Sequence, residues 1–283
     1  MPRYALAVEY DGTEYDGWQS QAAGVTLQQS LQKALSVVAN SAIVVNCAGR
    51  TDAGVHASGQ VVHFDSPVER SARAWMLGTN SILPTSMSVH WAGQVADDFH
   101  ARYSALAREY CYSLLNRQAR PGLSARTLAW ERKPLDVAAM QAAANSVLGQ
   151  QDFTSFRTVA CQAKRPWRRL DRLDIERDGN VLNFHVQANA FLHHMVRNLV
   201  GSLLVVGRGE QKPEWIRAVL AAKDRALAGA TAPAGGLVFI GPKYPAAAGL
   251  PEPFIAAPEL ELWDPNSGWT DEFSSLSTPT NIN

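Results

Sequence analysis

Two short apolar runs flank a polar stretch, and this arrangement constrains the fold most strongly. The runs are residues 43–47 (IVVNC) and 61–64 (VVHF), whose length and β-branched content are typical of strands. The stretch 49–57 (GRTDAGVHA) is therefore predicted to be a loop at the end of a strand. Its glycines permit unusual backbone conformations or close approach to a ligand. Taken alone, its Asp52 and Arg50 also fit a plain tight turn with a surface arginine.

The order of patterns before residue 100 predicts an α+β layer. Residues 3–10 alternate like a strand, and Thr26 with Gln29 forms a capping box that starts a helix. A second helix is expected over residues 73–83, and another strand over 87–95. Strand–helix–strand–strand–helix–strand indicates an antiparallel or mixed sheet with helices on one face.

The second part of the chain repeats these kinds of elements. A strand is predicted over residues 105–115, and Asp136 caps a helix. Residues 169–176 and 181–188 form strands of a hairpin whose turn is Asp-Gly-Asn. An apolar helix follows residue 191 and runs to about 206, and it contains Arg197 as its sole formal charge. Because arginine is rarely buried unpaired, a carboxylate partner such as Asp52 is expected.

Length and charge suggest how the chain is divided. A chain of 283 residues predicts about two domains, which we place at 1–100 and 101–245. Residues 101–172 hold 13 Lys and Arg against 5 Asp and Glu, which fits a polyanionic partner. Residues 246–283 hold six acidic residues and no basic one, and we expect a largely disordered acidic tail. This tail could shield the basic part of the protein, or merely solubilise it.

The cysteines and the apolar runs predict a cytoplasmic protein that does not enter a membrane. Three widely spaced cysteines suit reduced thiols better than a disulfide framework or a zinc site. The longest apolar run, near residues 199–206, is too short to span a bilayer, and no secretory signal is evident.

Several strings together resemble one family. GRTDAGVHA, read whole, is similar to the characteristic loop of the tRNA pseudouridine synthase A family. The resemblance extends over roughly residues 3–245, and the further strings that carry it are YDG with GWQ after residue 9, FHAR at 99–102, REYCY at 108–112, DFTSF at 152–156, FLHHMVR at 191–197 and APAGGLVF at 232–239.

The resemblance implies a fold, a reaction and roles for particular residues. It implies two similar sheet-plus-helix domains flanking a basic cleft, and a homodimer that binds tRNA. The reaction would be isomerisation of uridine to pseudouridine at tRNA positions 38, 39 and 40, without cofactor or metal. Asp52 would be the nucleophile, Arg197 its salt-bridge partner, and Tyr110 and Leu237 contacts of the target base. Arg50 could bind a phosphate or hold the extruded nucleotide.

Two other classes of function remain open from the residues alone. One is a non-catalytic RNA-binding protein, which would have no need for Asp52, Tyr110 and Arg197 together. The other is a metal-dependent nuclease that uses Asp52 and His56. His193 and His194 are adjacent, so on a helix their side chains would point about 100° apart and make a poor metal pair.

Overall fold

A ten-stranded mixed sheet runs through the computed structural model, which describes residues 1–159 and 161–261. The strands are β1 (Arg3–Tyr10), β2 (Asn46–Cys47), β3 (His56–Asp65), β4 (Met87–Val95), β5 (Ala107–Asn116), β6 (Ala129–Glu131), β7 (Gly149–Asp152), β8 (Trp167–Asp178), β9 (Val181–Ala188) and β10 (Leu237–Lys243). The helices are α1 (Leu27–Ala39), α2 (Ala72–Asn80), α3 (Val137–Asn145), α4 (Met195–Gly207), α5 (Trp215–Ala222) and α6 (Pro258–Glu261).

The same topology occurs twice in the sheet. In the first half, β1-α1-β2-β3-α2-β4 gives the spatial order β4-β1-β3-β2. In the second half, β5-α3-β8-β9-α4-β10 gives the order β10-β5-β9-β8, to which β6, β7 and α5 are added. Neighbouring strands are antiparallel within each repeat. The predicted α+β class with two similar sheet-plus-helix halves is confirmed.

Strand β10 joins the two halves. It is antiparallel to β5 and parallel to β3, where Val238 pairs with His56 and Phe239 with Ala57. The last strand of the second repeat therefore lies beside the start of the strand that follows the Asp52 loop. We propose 1–100 and 101–245 as two domains because each range contains one copy of the repeat.

Local sequence signals account for the helix starts and the hairpin. The Thr26 hydroxyl accepts the Gln29 amide hydrogen at 3.4 Å and donates to the Gln29 side chain at 2.8 Å. Asp136 accepts the Ala139 amide hydrogen at 2.9 Å. Both are helix caps of the predicted kind, because a side-chain oxygen satisfies an amide at the first turn. The Asp-Gly-Asn turn joins β8 to β9 as expected.

Short elements differ from the sequence-based expectation. Of residues 43–47, only Asn46 and Cys47 pair with β3, and α2 ends at Asn80 instead of residue 83. Strands β6 and β7, of three and four residues, were not predicted. Such short strands form because they pair with strands that are distant in the sequence. A segment of three or four residues has no periodicity from which a strand could be predicted.

Residues 246–261, the first part of the expected acidic tail, pack against the rest of the fold. Tyr244 exchanges backbone hydrogen bonds with Phe254 and Ala256, at 2.8 and 2.7 Å. The Phe254 side chain is 2% exposed, and its ring lies close to Gly59 of β3 and Gly241 of β10. The buried Phe254 ring thus holds this segment against β3 and β10, the strands at which the two halves meet. Residues 262–283, the remainder of the expected acidic tail, lie outside the described residues.

Replacing Phe254 with alanine is expected to lower the free energy of unfolding by about 3–5 kcal/mol, because a buried ring is lost and a cavity remains. Urea unfolding measures this value. Leu123→Ala is the matched control, since the Leu123 side chain is fully exposed. A loss no larger than that of the control would show that the segment after Tyr244 does not belong to the folded core.

None of the helices in the described part of the chain combines the length and the apolar character needed to cross a membrane.

Candidate active site

The backbone around Asp52 is fixed on both sides by the first strand and the loop that follows it. The Thr51 hydroxyl lies 2.8 Å from the Tyr10 hydroxyl, and the Thr51 carbonyl accepts the Trp18 amide hydrogen at 2.9 Å. The Val55 amide donates to the Asp52 carbonyl at 3.1 Å, and Gly54 has φ +75°. This is the pattern of a type II turn, whose third position favours glycine. The turn holds the Asp52 side chain in one place.

His56 ties the two loops together. The Gly12 amide donates to His56 Nδ1 at 3.1 Å, and His56 Nε2 lies 2.9 Å from the Arg126 carbonyl. A Cβ at Gly12 would lie 2.0 Å from the Val55 carbonyl oxygen, so this close approach requires glycine. Because both ring nitrogens of His56 have partners in this framework, the geometry gives no support to the Asp52–His56 metal nuclease.

The Asp52 carboxylate faces an arginine and two histidines. Arg197 Nη1 lies 3.6 Å from Oδ2, which is the ion pair expected from the sequence. His193 Nε2 lies 3.2 Å from Oδ1, and His194 Nε2 lies 3.3 Å from Oδ2. The Asp52 side chain is 26% exposed and that of Arg197 is 14% exposed. The carboxylate is therefore held on both oxygens while one side stays open to solvent.

Sequence reasoning missed the two histidines because it placed them on the helix. Helix α4 begins at Met195, and His194 precedes it in a left-handed conformation, with φ 62° and ψ 8°. The imidazole rings are 4.2 Å apart instead of pointing about 100° away from each other. His193 Nδ1 lies 2.8 Å from the Thr158 hydroxyl, which fixes the ring with Nε2 toward Asp52. The two side chains consequently converge on one carboxylate.

The charge state of His194 follows from its surroundings. Burial lowers the pKa of His194 below the ordinary value, and the charges of Arg197 and His193 act in the same direction. The negative charge of Asp52 opposes this shift in the pKa of His194. Because an imidazole with a lowered pKa is neutral at pH 7, His194 offers a neutral ring and Arg197 supplies the positive charge.

Arg197 is itself held by the segment that precedes β10. Its Nε donates to the Ala232 carbonyl at 2.8 Å, and the Ala232 amide donates to the Arg197 carbonyl at 3.1 Å. One guanidinium therefore bridges a backbone carbonyl and the Asp52 carboxylate. This second contact fixes the direction of the side chain, which a lone ion pair would not do.

Tyr110 lies on β5 between two other rings. Phe191 packs edge-to-face at 5.0 Å, and Phe239 lies at 4.8 Å. Burial raises the pKa of Tyr110, and the nearby Tyr10 and Asp52 raise it further. The phenol therefore stays protonated at neutral pH and can donate a hydrogen bond, which makes it a poor base.

Arg50 and Leu237 differ from Asp52 and Arg197 in their environment. Arg50 is exposed, and its guanidinium makes no hydrogen bond or ion pair within the described part of the chain. Leu237 is the first residue of β10, is 5% exposed and pairs with Tyr112 of β5. Among the described residues, the ion-pair partners of the Asp52 carboxylate are His193, His194 and Arg197, and neither Arg50 nor Leu237 is one of them.

The donor set at Asp52 is also of a kind that can hold a metal. Ligand atoms of Asp52, His193 and His194 lie within 4.8 Å of one another. Two histidines and a carboxylate suit zinc or iron. Arg197 stands 3.6 Å from one of these oxygens, and its fixed positive charge disfavours a cation there.

Comparisons with known proteins identify the family of the chain. A family model described as tRNA pseudouridine synthase matches residues 6–104 and 143–245. The tRNA pseudouridine synthase A of Xanthomonas euvesicatoria pv. vesicatoria (strain 85-10) is 59% identical over 251 residues, which cover 88% of this chain and 98% of that protein. The tRNA pseudouridine synthase A of Xylella fastidiosa (strain M23) is 57% identical over 246 residues, 87% of this chain and 96% of that protein.

A solved structure titled as a Cbf5–Nop10–Gar1 complex covers 71% of this chain and 45% of its own chain, with TM-score 0.33 and 12% identity, which is too weak to support an argument. The family model and the curated relatives, by contrast, cover most of the chain. The chain therefore belongs to the tRNA pseudouridine synthase family.

Proposed function

We propose that this protein isomerises uridine to pseudouridine at positions 38, 39 and 40 of the tRNA anticodon stem and loop, with Asp52 as nucleophile and without a cofactor. Family membership makes it a tRNA pseudouridine synthase, an isomerase. The observation that carries the proposal is the half-buried Asp52 carboxylate, held by Arg197 on a loop that the first strand fixes.

The reaction needs one carboxylate and a site that limits water. The N-glycosidic bond between uracil N1 and ribose C1′ breaks, the uracil rotates, and C5 bonds to C1′. The proton from C5 is lost and N1 gains a proton, so no electrons are exchanged with a cofactor. Asp52 supplies the nucleophile, which attacks either the ribose or the base. Arg197 keeps the carboxylate oriented for that attack.

Three further residues would bind the target nucleotide. A uridine within a stem or stacked loop must leave the stack before Asp52 can reach it. The protonated Tyr110 phenol would stack on the uracil or donate a hydrogen bond to it, and Leu237 would pack beside it. The exposed Arg50, two residues before Asp52, would hold the phosphate of the extruded nucleotide.

The partners follow from the same proposal. Residues 101–172 contain 13 basic and 5 acidic residues, and this positive charge supports a polyanionic substrate. That substrate would be tRNA. We propose in addition that the protein acts in the cytoplasm, as a homodimer and without a metal. Size-exclusion chromatography with light scattering tests the dimer.

Tritium release tests the reaction. A tRNA transcript labelled with tritium at uracil C5 is incubated with the protein, with and without EDTA, and the modified positions are then mapped. We expect chelator-resistant release, with pseudouridine at positions 38, 39 and 40. RNA binding without release would instead support the non-catalytic RNA-binding protein. Release that EDTA abolishes would show that the metal-free mechanism is wrong.

A further inference from the structure

Three half-buried arginines and an exposed one, grouped around Arg168, have no acidic partner in the described part of the chain. Arg169, Arg197 and Arg208 are also half-buried, and each contacts a carboxylate. In residues 1–159 and 161–261, by contrast, no carboxylate lies within ion-pair distance of the following neighbouring guanidinium groups: Arg102, Arg108, Arg157 and Arg168. Like charges collected without a counter-charge repel one another. An anion from outside the chain would therefore reduce the repulsion among these guanidinium groups.

Arg108 connects this cluster to the active-site loop. Its guanidinium donates to the carbonyls of Ala48, Ala105 and Asn189 at 3.4, 3.1 and 2.8 Å, and also to the Arg102 carbonyl. Ala48 directly follows β2 and leads into the Asp52 loop. Arg108 thus serves as a rigid support that places Arg102 next to that loop.

Asn189 links the strand that carries Arg168 to Arg108. The Asn189 side-chain oxygen accepts the Arg169 amide hydrogen at 3.0 Å, while the Asn189 carbonyl accepts from Arg108. One asparagine therefore joins the backbone beside Arg168 to Arg108. Burial lowers the pKa of Arg168, and the positive charges of Arg102, Arg108 and Arg157 lower it further, although Cys161 opposes them. These three arginines are therefore within electrostatic range of Arg168.

The guanidinium of Arg168 is only partly satisfied. Nη1 donates to the carbonyls of Arg165 and Trp167 at 3.0 and 2.6 Å. Nε is buried without an acceptor, and Nη2 makes no hydrogen bond within the described part of the chain. The Nε–Nη2 edge is the one that binds an oxyanion through two parallel hydrogen bonds. Because Nε is buried, an incoming oxyanion would meet Nη2 first.

An aromatic ring stands at the edge of the cluster. Tyr103 is 76% exposed, and the Arg102 guanidinium carbon lies 5.6 Å from the centre of its ring. Exposed rings beside backbone-binding cations are typical of surfaces that bind unpaired nucleotides. The combination favours a nucleic-acid backbone over a small inorganic anion.

We propose that Arg168, together with Arg102 and Arg157, binds a phosphate of the RNA backbone beside the nucleotide that enters the Asp52 site, with Arg108 as a positioning residue. The inference rests on the proposed function, since the RNA is the tRNA substrate. It adds a phosphate site beside the candidate active site, in which Asp52 of the first half meets Arg197 of the second. A phosphate held at this second point would fix the register of the RNA over Asp52.

Salt-dependent binding tests the site. The affinity of a fluorescein-labelled anticodon stem-loop RNA is measured by anisotropy between about 0.05 and 0.3 M KCl. Arg168→Gln and Arg102→Gln are each expected to bind roughly tenfold more weakly at about 0.1 M salt. The slope of log affinity against log salt should fall by about 1 for each lost phosphate contact.

Arg168→Lys, which keeps the charge, should retain the slope. Arg217→Gln, at an exposed position on α5, is the control of equal charge loss.

Thermal melting distinguishes a binding role from a structural one. The exposed Arg102 guanidinium makes no hydrogen bond or ion pair within the described residues, so Arg102→Gln should not lower Tm. Wild-type affinity and slope in both glutamine variants would overturn the phosphate site. The phosphate site would also be overturned if binding weakened only in variants whose Tm is lowered, because the loss of affinity would then follow from a loss of stability. Tritium release by the wild type in the same preparation keeps these outcomes separate from a failure of the proposed function.

Discussion

Replacing Asp52 with asparagine is expected to reduce tritium release from C5-labelled tRNA by at least about 10⁴-fold, a loss typical of a removed nucleophile. Asparagine has almost the same shape, but its neutral amide is a far weaker nucleophile than a carboxylate. The main-chain bonds of Thr51 and Val55 that hold the loop do not involve the side chain. The variant should therefore keep its fold.

Binding of tRNA by this variant should be unchanged or tighter, because a negative charge near the RNA phosphates has been removed. Asp98→Asn, at an exposed position, is the matched control and should release tritium like the wild type. Residual release by Asp52→Asn within about tenfold of the wild type would exclude Asp52 as the nucleophile.

Replacing Arg197 with methionine is expected to lower kcat by about 10²–10³-fold while KM changes little. Methionine fills much of the same volume, but the 3.6 Å contact with Asp52 Oδ2 and the bond to the Ala232 carbonyl are both lost. Single-turnover assays with saturating enzyme measure the chemical step. Because the Ala232 carbonyl is left without its partner, a loss of stability of about 1–3 kcal/mol should accompany the kinetic effect.

Lysine at position 197 separates charge from orientation. It keeps a positive charge near Asp52 but cannot bridge the carboxylate and the Ala232 carbonyl with one planar group. We expect Arg197→Lys to recover only part of the lost rate. Full recovery would show that charge alone matters, and a methionine variant within threefold of the wild type would remove Arg197 from the mechanism.

The contact between Asp52 and Arg197 could be predicted because two independent observations pointed to it. Asp52 lies in a glycine-bounded loop after a strand, and Arg197 is a lone charge in an apolar helix. Such an arginine must find a partner when the helix is buried. The family resemblance paired the same two residues. The structure places them in contact although 144 positions separate them in the sequence.

The convergence of His193 and His194 could not be read from the sequence. Periodicity extended the helix backwards through both residues, whereas the helix begins only at Met195. On a helix the two side chains would diverge. The left-handed conformation of His194 makes them converge instead. Histidine adopts this conformation more readily than most residues, but tertiary contacts such as that between Thr158 and His193 decide whether it does.

The packing of residues 246–261 could not be read from the sequence for a related reason. Its composition of Pro, Ala, Ser and acidic residues is typical of disorder. Composition describes the segment as a whole and does not reveal that one apolar side chain is buried. Phe254 is buried because β3 and β10 offer a surface lined by Gly59 and Gly241. No property of the segment itself reveals that surface.

The central position of β10 has a consequence for synthesis on the ribosome. Asp52 and Tyr110 leave the ribosome long before the strand between their halves, which comprises residues 237–243. A nascent chain that stops before residue 237 lacks the strand that aligns β3 with β5. Translation products that stop before this strand thus carry Asp52 without the assembled site around it. Addition of β10 is therefore the step that brings the two halves of the candidate site together.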